Sequence, residues 1–312
     1  MAVMQDKVKV LYIAGFGRSG STILDNILGQ LDGVFSGGEL RSLWYHGLTG
    51  NILCGCGERF RECPVWERVL TTAYSSVENA PAEEMVRLSA GARSRHLPLM
   101  LLPRSRERVL SGLGAYREHL STMYRAIQTT TGCDVIVDSS KVPLYGRILQ
   151  TLPEVELSVV HLMRDPRAVA YSWLRKKSLP DWGHQQYMPT YGPIQSALNW
   201  DLCNVASELF WRRRPDKYLL LRYEDFIADP RGSVRTVLDL VDIGPVELPF
   251  TDAHTVQMGP SHSVSGNPSR FRTGTVELRV DERWKRKMPG AARSLVSTFV
   301  GPLGKRYGYD LW

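Results

Sequence analysis

The chain has 312 residues, 43% of them hydrophobic, with 39 Lys and Arg against 32 Asp and Glu for a net charge of +7. It carries no apolar run of about 18 residues and no apolar core before its first strand, which excludes a spanning segment and a secretory signal and predicts a soluble, cytoplasmic protein. The positive charge suits a ligand with several negative groups, whereas the basic runs 212–214 and 283–287 lack interleaved aromatics and argue against a nucleic-acid surface.

In chain order, the first element is a buried strand at 8–14, carrying Val8, Val10, Leu11, Ile13 and Ala14. Gly15, Gly17 and Gly20 follow in a tight turn, and Ser21 and Thr22 open a helix with Ile23, Leu24, Ile27, Leu28 and Leu31 at helical spacing. A strand, a Gly-rich turn and a helix start together form an anion cradle, since free N–H groups and the helix dipole converge there. The spacing is that of the nucleoside-triphosphate loop G-x-x-x-x-G-K-[ST], but Ser21 stands where that loop needs Lys. The cation here is Arg18, at the loop's crest, able to fork onto two oxygens of an anion. Transfer of a singly charged group without Mg²⁺, such as a sulfuryl group, tolerates that exchange.

A second strand at 33–37 leads through Gly37 and Gly38 to Glu39, delivered to the edge that Arg18 occupies. An insertion at about 45–70 holds Cys54, Cys56 and Cys63. A zinc site there wants a fourth ligand, for which His46 is nearest in sequence, and common C-x₂-C spacing is missing; buried thiols are the preferred reading, and a disulfide is disfavoured in a reducing compartment. Helices are predicted over most of 85–128, within a helical region at about 81–128, and over 141–151, 166–177 and 193–213. Further strands are expected at 134–138, 156–163 and 217–222. The strand at 134–138 ends in Asp138 and a polar turn with Lys141. In the next, Arg164 lies at the strand end, Asp165 caps a helix, Pro166 begins it, and Ser172 follows two turns on, so that Arg164 and Ser172 face one anion. The alternation indicates one α/β domain over 1–312, three layers around a central parallel sheet; no repeat or long linker is visible.

Taken together, Gly15-Phe-Gly-Arg-Ser-Gly-Ser-Thr22 resembles the 5′-phosphosulfate loop of sulfotransferases that use 3′-phosphoadenosine 5′-phosphosulfate (PAPS). Its Arg form is similar to the Golgi tyrosyl-protein and bacterial branches, and its lack of an anchor to the bacterial one. The resemblance implies the P-loop NTPase-like sulfotransferase fold, with Gly17, Arg18, Ser19, Gly20, Ser21 and Thr22 around the 5′-phosphosulfate. It also implies Arg164 and Ser172 at the 3′-phosphate, Tyr223 near the adenine, and Arg272 and Gly274 in a loop over the 3′-phosphate. Thr273 departs from that loop's usual Lys, with Arg270 expected to compensate.

By the same resemblance Glu39 is the base and Lys141 steadies the sulfuryl group, while the residues themselves leave Asp138 and His184 open as alternative bases. The reaction implied is metal-free in-line displacement onto a hydroxyl or amine of a small-molecule, glycan or secondary-metabolite acceptor. The acceptor is expected to meet the Cys insertion, the helices at 81–128 and the loop 179–193, which carries Trp182, His184, Tyr187 and Tyr191. The rival readings are a P-loop kinase, for which Asp138 would serve as the Mg²⁺ ligand, and a non-enzymatic nucleotide-binding module.

Overall fold

A computed structural model of the chain describes residues 7–92, 96–182 and 186–312. Five parallel strands form the central sheet: β1 (Val8–Gly15), β2 (Val34–Ser36), β3 (Val135–Lys141), β4 (Val155–Met163) and, later in the chain, β7 (Tyr218–Arg222), in the order β2-β3-β1-β4-β7. All five predicted strands are present, four within one residue of their expected ends and β3 running three residues further than expected, to Lys141. The central position of β1 follows from its sequence: Val8, Val10 and Tyr12 enter one core while Leu11 and Ile13 enter the other, and none is more than 1% exposed.

The helices in chain order are α1 (Ser21–Leu28), α2 (Pro64–Tyr74), α3 (Ala82–Ser89), α4 (Pro103–Ser111), α5 (Gly114–Thr131), α6 (Pro143–Leu149), α7 (Pro166–Leu174), α8 (Pro193–Trp211), α9 (Tyr223–Ala228), α10 (Pro230–Asp239), α11 (Arg283–Lys287) and α12 (Gly290–Arg306). On one face of the sheet, α2, α5 and α6 bury Trp66, Tyr124, Ile127 and Ile148; on the other, α1, α9 and α10 bury Leu24, Ile27, Phe226 and Val237. A third cluster joins α7, α8, α11 and α12 beyond β4 through Val169, Trp200, Trp284 and Val296. Two antiparallel pairs complete the structure, β5 (Ser178–Leu179) with β6 (Gln186–Tyr187) and β8 (Thr255–Met258) with β9 (Gly274–Glu277).

The long helical stretch expected at 85–128 is broken instead into α3, a 3₁₀ turn at Pro98–Leu101, α4 and α5. Pro98 and Pro103 each begin an element, as expected of a residue without an N–H that fits a first turn and disrupts a helix interior. Among the described residues no helix is long and apolar enough to cross a membrane.

The strand order reverses around β1: the chain fills the β3 side first and then crosses to β4. Open parallel sheets place ligands at the carboxyl ends beside such a switch point. The segments that carry Arg18, Glu39, Lys141 and Arg164 all leave the sheet at this edge.

Candidate active site

At that edge lies a cavity of about 640 Å³. Of the residues singled out in the sequence, Gly17, Arg18, Gly20, Ser21, Thr22, Glu39, Lys141, Arg164, Ser172, Tyr223 and Arg272 line it. Its wall carries eight Arg and Lys side chains against three carboxylates, Glu39, Asp181 and Asp281, so the enclosed field favours an anion.

The loop after β1 holds its shape by backbone geometry. Arg18 is left-handed at φ 76°, an uncommon conformation for a residue with a side chain, and Gly20 follows at φ 94°. Gly20 must be glycine on a second count, since a Cβ there would lie 2.7 Å from Cε2 of the Tyr223 ring. Ser19 turns inward, its Oγ donating to the Phe16 carbonyl at 2.8 Å, so it braces the loop without facing the cavity. Ser21 and Thr22, the first residues of α1, then line the cavity, while the N–H groups of Ile23 and Leu24 donate to the Gly20 carbonyl.

Arg18 is stacked 4.4 Å from the centroid of the Trp173 ring, which in turn stacks on Tyr191 at 4.3 Å and on Phe16 at 5.6 Å. Its Nη1 donates to Met188 Sδ at 2.9 Å, while Nε and Nη2 are buried with no hydrogen-bond partner among the described residues. A buried guanidinium with two unsatisfied donors is a site prepared for an anion. Trp173 was not singled out, and Tyr191 was named only as an aromatic of the acceptor-side loop; their place beside Arg18 depends on the packing of α7 and of the loop after β6 against β1, which no local pattern encodes.

Arg164 comes off the end of β4, 8% exposed, its guanidinium 4.5 Å from the Tyr223 ring centroid. It donates to the carbonyls of Arg18 (3.4 Å) and Asp281 (3.1 Å), and its Nε is unpartnered. Asp165 caps α7 as expected, accepting from Arg167 N–H, and Pro166 is the first residue of that helix. One face of α7 presents Ser172, and Lys177 Nζ donates to its hydroxyl at 3.4 Å. Burial, then Arg18, Arg175 and Arg164, lower the Lys177 ammonium to about 8. Lys177, Arg175, Arg279 and Arg283 extend the cationic wall beyond the residues picked from sequence.

On the opposite side Lys141, the last residue of β3, is left-handed at φ 68° and sits just past an irregularity in the β1–β3 register. Its Nζ donates to Glu39 Oε1 at 2.7 Å and to the Ser139 carbonyl at 2.6 Å. Glu39 is fixed by its own backbone, whose N–H donates to the Val264 carbonyl at 2.8 Å. Its side chain stays 25% exposed toward the cavity.

Three residues named from sequence are not brought to the cavity wall: Ser19, Arg270 and Gly274. Arg270 is 2% exposed; its Nη2 pairs with Asp181 Oδ2 at 3.0 Å and donates to the Leu53 carbonyl at 2.5 Å, and its Nη1 donates to the Ser263 carbonyl at 2.7 Å. It staples the 261–274 loop from behind and does not stand in for the Lys that Thr273 replaces. Gly274 begins β9, paired with Met258. Of the alternative bases, Asp138 is fully buried, its Oδ1 accepting from Ser140 N–H (2.9 Å) and Oγ (2.5 Å) and its Oδ2 from the Tyr124 hydroxyl. Burial raises this carboxyl to about 6, and it does not line the cavity, so it offers neither a base nor a Mg²⁺ ligand there. His184 lies outside the described residues. His46 lines the cavity, with Nδ1 2.8 Å from Ser265 Oγ, and is not drawn to the cysteines.

Comparison with known proteins fits this geometry. The chain is 27% identical over 173 residues to human carbohydrate sulfotransferase 3, an overlap of 51% of this chain and 35% of that protein. It is 22% identical over 166 residues to the omega-hydroxy-beta-dihydromenaquinone-9 sulfotransferase of Mycobacterium bovis, covering 52% and 38% respectively. The matched segments thus span well under half the length of these curated relatives. In fold the chain is similar to the sulfotransferase domain of the Synechococcus PCC 7002 olefin synthase, with TM-score 0.54, 20% identity and coverage of 99% and 98%. It is likewise similar to the sulfotransferase domain of the curacin biosynthetic pathway, with TM-score 0.54, 16% identity and coverage of 99% and 100%. A model of the Sulfotransferase family matches residues 11–247, three quarters of the sequence, and the chain belongs to that family.

Proposed function

We propose that this protein transfers a sulfuryl group from PAPS to a hydroxyl of a small-molecule, glycan or secondary-metabolite acceptor, with no metal in the reaction. The observation that carries this reading is the Arg18 guanidinium, buried on an aromatic platform with two donors unsatisfied, facing the Glu39–Lys141 pair across one cationic cavity. The orphaned Nε of Arg164 and the start of α1 on the cavity wall add to the fit for a ligand with two anionic ends. PAPS bound there would supply an electrophilic sulfur and a phosphate leaving group.

The chain's own residues do the rest. Arg18 and the N–H groups of the loop bind the 5′ anion, and Arg164, with Ser172 and Lys177, binds the 3′-phosphate. Lys141 hands its hydrogen bond from Glu39 to the transferring group's oxygens, which frees Glu39 to take the acceptor's proton; fixed charge of this kind needs no reorganisation as charge develops. Tyr223 closes the nucleotide side beneath Arg164. A kinase reading loses support, because the loop lacks Lys and Asp138 is engaged internally. The relatives named for a carbohydrate and for an omega-hydroxylated menaquinone favour a hydroxyl over an amine acceptor.

Incubation with ³⁵S-labelled PAPS and a panel of sugar, polyketide and lipid alcohols should label an acceptor with the wild type. Glu39→Gln should bind 3′,5′-adenosine bisphosphate unchanged yet transfer about 10²–10⁴-fold more slowly, the worth of a general base. Unimpaired transfer by Glu39→Gln would overturn the assignment of the base.

A further inference from the structure

The Cys insertion meets the 261–274 loop at a point remote in sequence. Cys54 and Cys56 sit on a tight turn in which Gly57 N–H donates to the Cys54 carbonyl at 2.9 Å, and Cys63 immediately precedes α2. His262 approaches from 199 residues away, its Nδ1 3.3 Å from Cys63 Sγ. The thiol sulfurs of Cys54, Cys56 and Cys63 and a ring nitrogen of His262 all lie within 4.8 Å of one another, the one such group among the described residues. Cys56 Sγ and Cys63 Sγ are 3.7 Å apart. That is too far for a disulfide, whose sulfurs are about 2.05 Å apart, but it matches a tetrahedral centre: bonds of about 2.3 Å from zinc to sulfur put neighbouring sulfurs about 3.8 Å apart.

The protein framework sets this spacing independently of the thiols. Gly55 N–H donates to the Ser263 carbonyl at 3.1 Å, and a Cβ on Gly55 would lie 2.5 Å from Ser261 Oγ and 2.7 Å from Ser263 Oγ, so glycine there lets the two segments close. The buried Trp66 indole donates to the His262 carbonyl at 2.7 Å and fixes the backbone that carries the imidazole. Three thiols and one imidazole converging from two segments, none of them lining the cavity, form the ligand set of a closed structural zinc site.

We propose that Cys54, Cys56, Cys63 and His262 bind one zinc ion whose role is to hold the cavity-wall loop in place. In this proposal the thiols act as ligands where the sequence suggests buried thiols, and the fourth ligand is His262 and not His46, which faces Ser265. The consequence for the site is direct, because the same loop then runs through Val264, whose carbonyl accepts from Glu39 N–H and whose N–H donates to the Gly37 carbonyl, and on to Ser265, Gly266 and Asn267 on the cavity wall. The metal positions Glu39 through this loop and takes no part in the transfer step.

The test is the metal content of the full chain, purified without an affinity tag or chelator, together with its cobalt spectrum. The wild type should carry about one zinc per chain. Exchange with Co²⁺ should give thiolate-to-cobalt charge-transfer absorption and the intense ligand-field bands of a tetrahedral centre. Cys56→Ser and His262→Ala should lose at least about nine tenths of the metal, while His262→Cys, with four ligands still available, and Cys203→Ser, outside the cluster, should keep it. Stripping the zinc should raise amide exchange at Glu39 and across 261–266. Zinc-free wild type that gives no cobalt charge-transfer bands, equal metal in His262→Ala, or unchanged exchange after stripping would overturn the proposal; the cobalt spectrum of the wild type decides even if the variants do not fold.

Discussion

Replacing Arg164 with Ala should weaken binding only of ligands that carry a 3′-phosphate. The guanidinium is almost wholly enclosed, stacked on Tyr223, with two of its donors on backbone carbonyls and Nε free. A hydrogen bond to a charged group contributes about 1.5–3 kcal/mol, and at about 1.4 kcal/mol per tenfold its loss corresponds to roughly a 10- to 150-fold rise in Kd for 3′,5′-adenosine bisphosphate. Adenosine 5′-phosphate, which lacks the 3′ group, should change by less than about threefold, because Arg18 and the loop that hold the 5′ end remain. Isothermal calorimetry of both ligands against wild type and Arg164→Ala separates the two effects. Since Arg164 also ties down the Arg18 and Asp281 carbonyls, a thermal melt of each protein shows whether the variant has lost its fold. An equal loss for both nucleotides in a folded variant would mean that Arg164 shapes the loop and does not read the 3′-phosphate, and no loss for either would refute the assignment outright.

Lys177 should make nucleotide affinity depend on pH. Its ammonium is lowered to about 8 by burial and by Arg18, Arg175 and Arg164, so it is charged below that value and neutral above it. Bisphosphate affinity should therefore fall as pH rises through about 8, and Lys177→Met should flatten the profile; a wild-type profile flat from pH 7 to 9 would contradict it. For the ligand-free protein the sign is set by a folded pKa below the unfolded 10.5: the unfolded chain binds the extra proton between about 8 and 10.5, so the Lys177 contribution to stability grows as pH rises through that window, which denaturant titration at several pH values would detect. Gly20→Ala should cost more than the roughly 1–2 kcal/mol of a left-handed residue, because the new methyl also displaces Tyr223 from beneath Arg164; an unchanged urea midpoint would contradict this reading.

Much of the sheet edge was legible because strand, turn and helix start are written in consecutive residues. β1, Gly20 and α1 carry the loop, and Arg164, Asp165 and Pro166 mark the end of β4 and the cap of α7, each within a few positions. Glu39 and Lys141 were legible through resemblance, but their 2.7 Å pairing depends on β2 and β3 lying side by side, which no local pattern states. What was missed is long-range. The aromatic platform under Arg18 joins Phe16, Trp173 and Tyr191, the Arg270–Asp181 pair closes over 89 residues, and His262 reaches Cys63 across 199. His46 was the nearest histidine to the cysteines in sequence, yet the helical turn at Leu43–Thr49 aims it at Ser265. Asp229 caps α10 and Pro230 begins it, and Pro289 precedes α12, signals that lie in consecutive residues but were not used. Asp138 looked available at a strand end, and only the buried Tyr124 hydroxyl and the Ser140 turn reveal that it is already satisfied.

The central claim, a metal-free PAPS site at the β1 edge, is tested most directly by calorimetric titration of the wild-type chain with 3′,5′-adenosine bisphosphate and, separately, ATP. The buffer should be freed of magnesium but contain no chelator strong enough to strip zinc. Tight binding of the bisphosphate with little binding of ATP is the predicted result; absence of bisphosphate binding, or ATP binding that appears when Mg²⁺ is restored, would contradict the account.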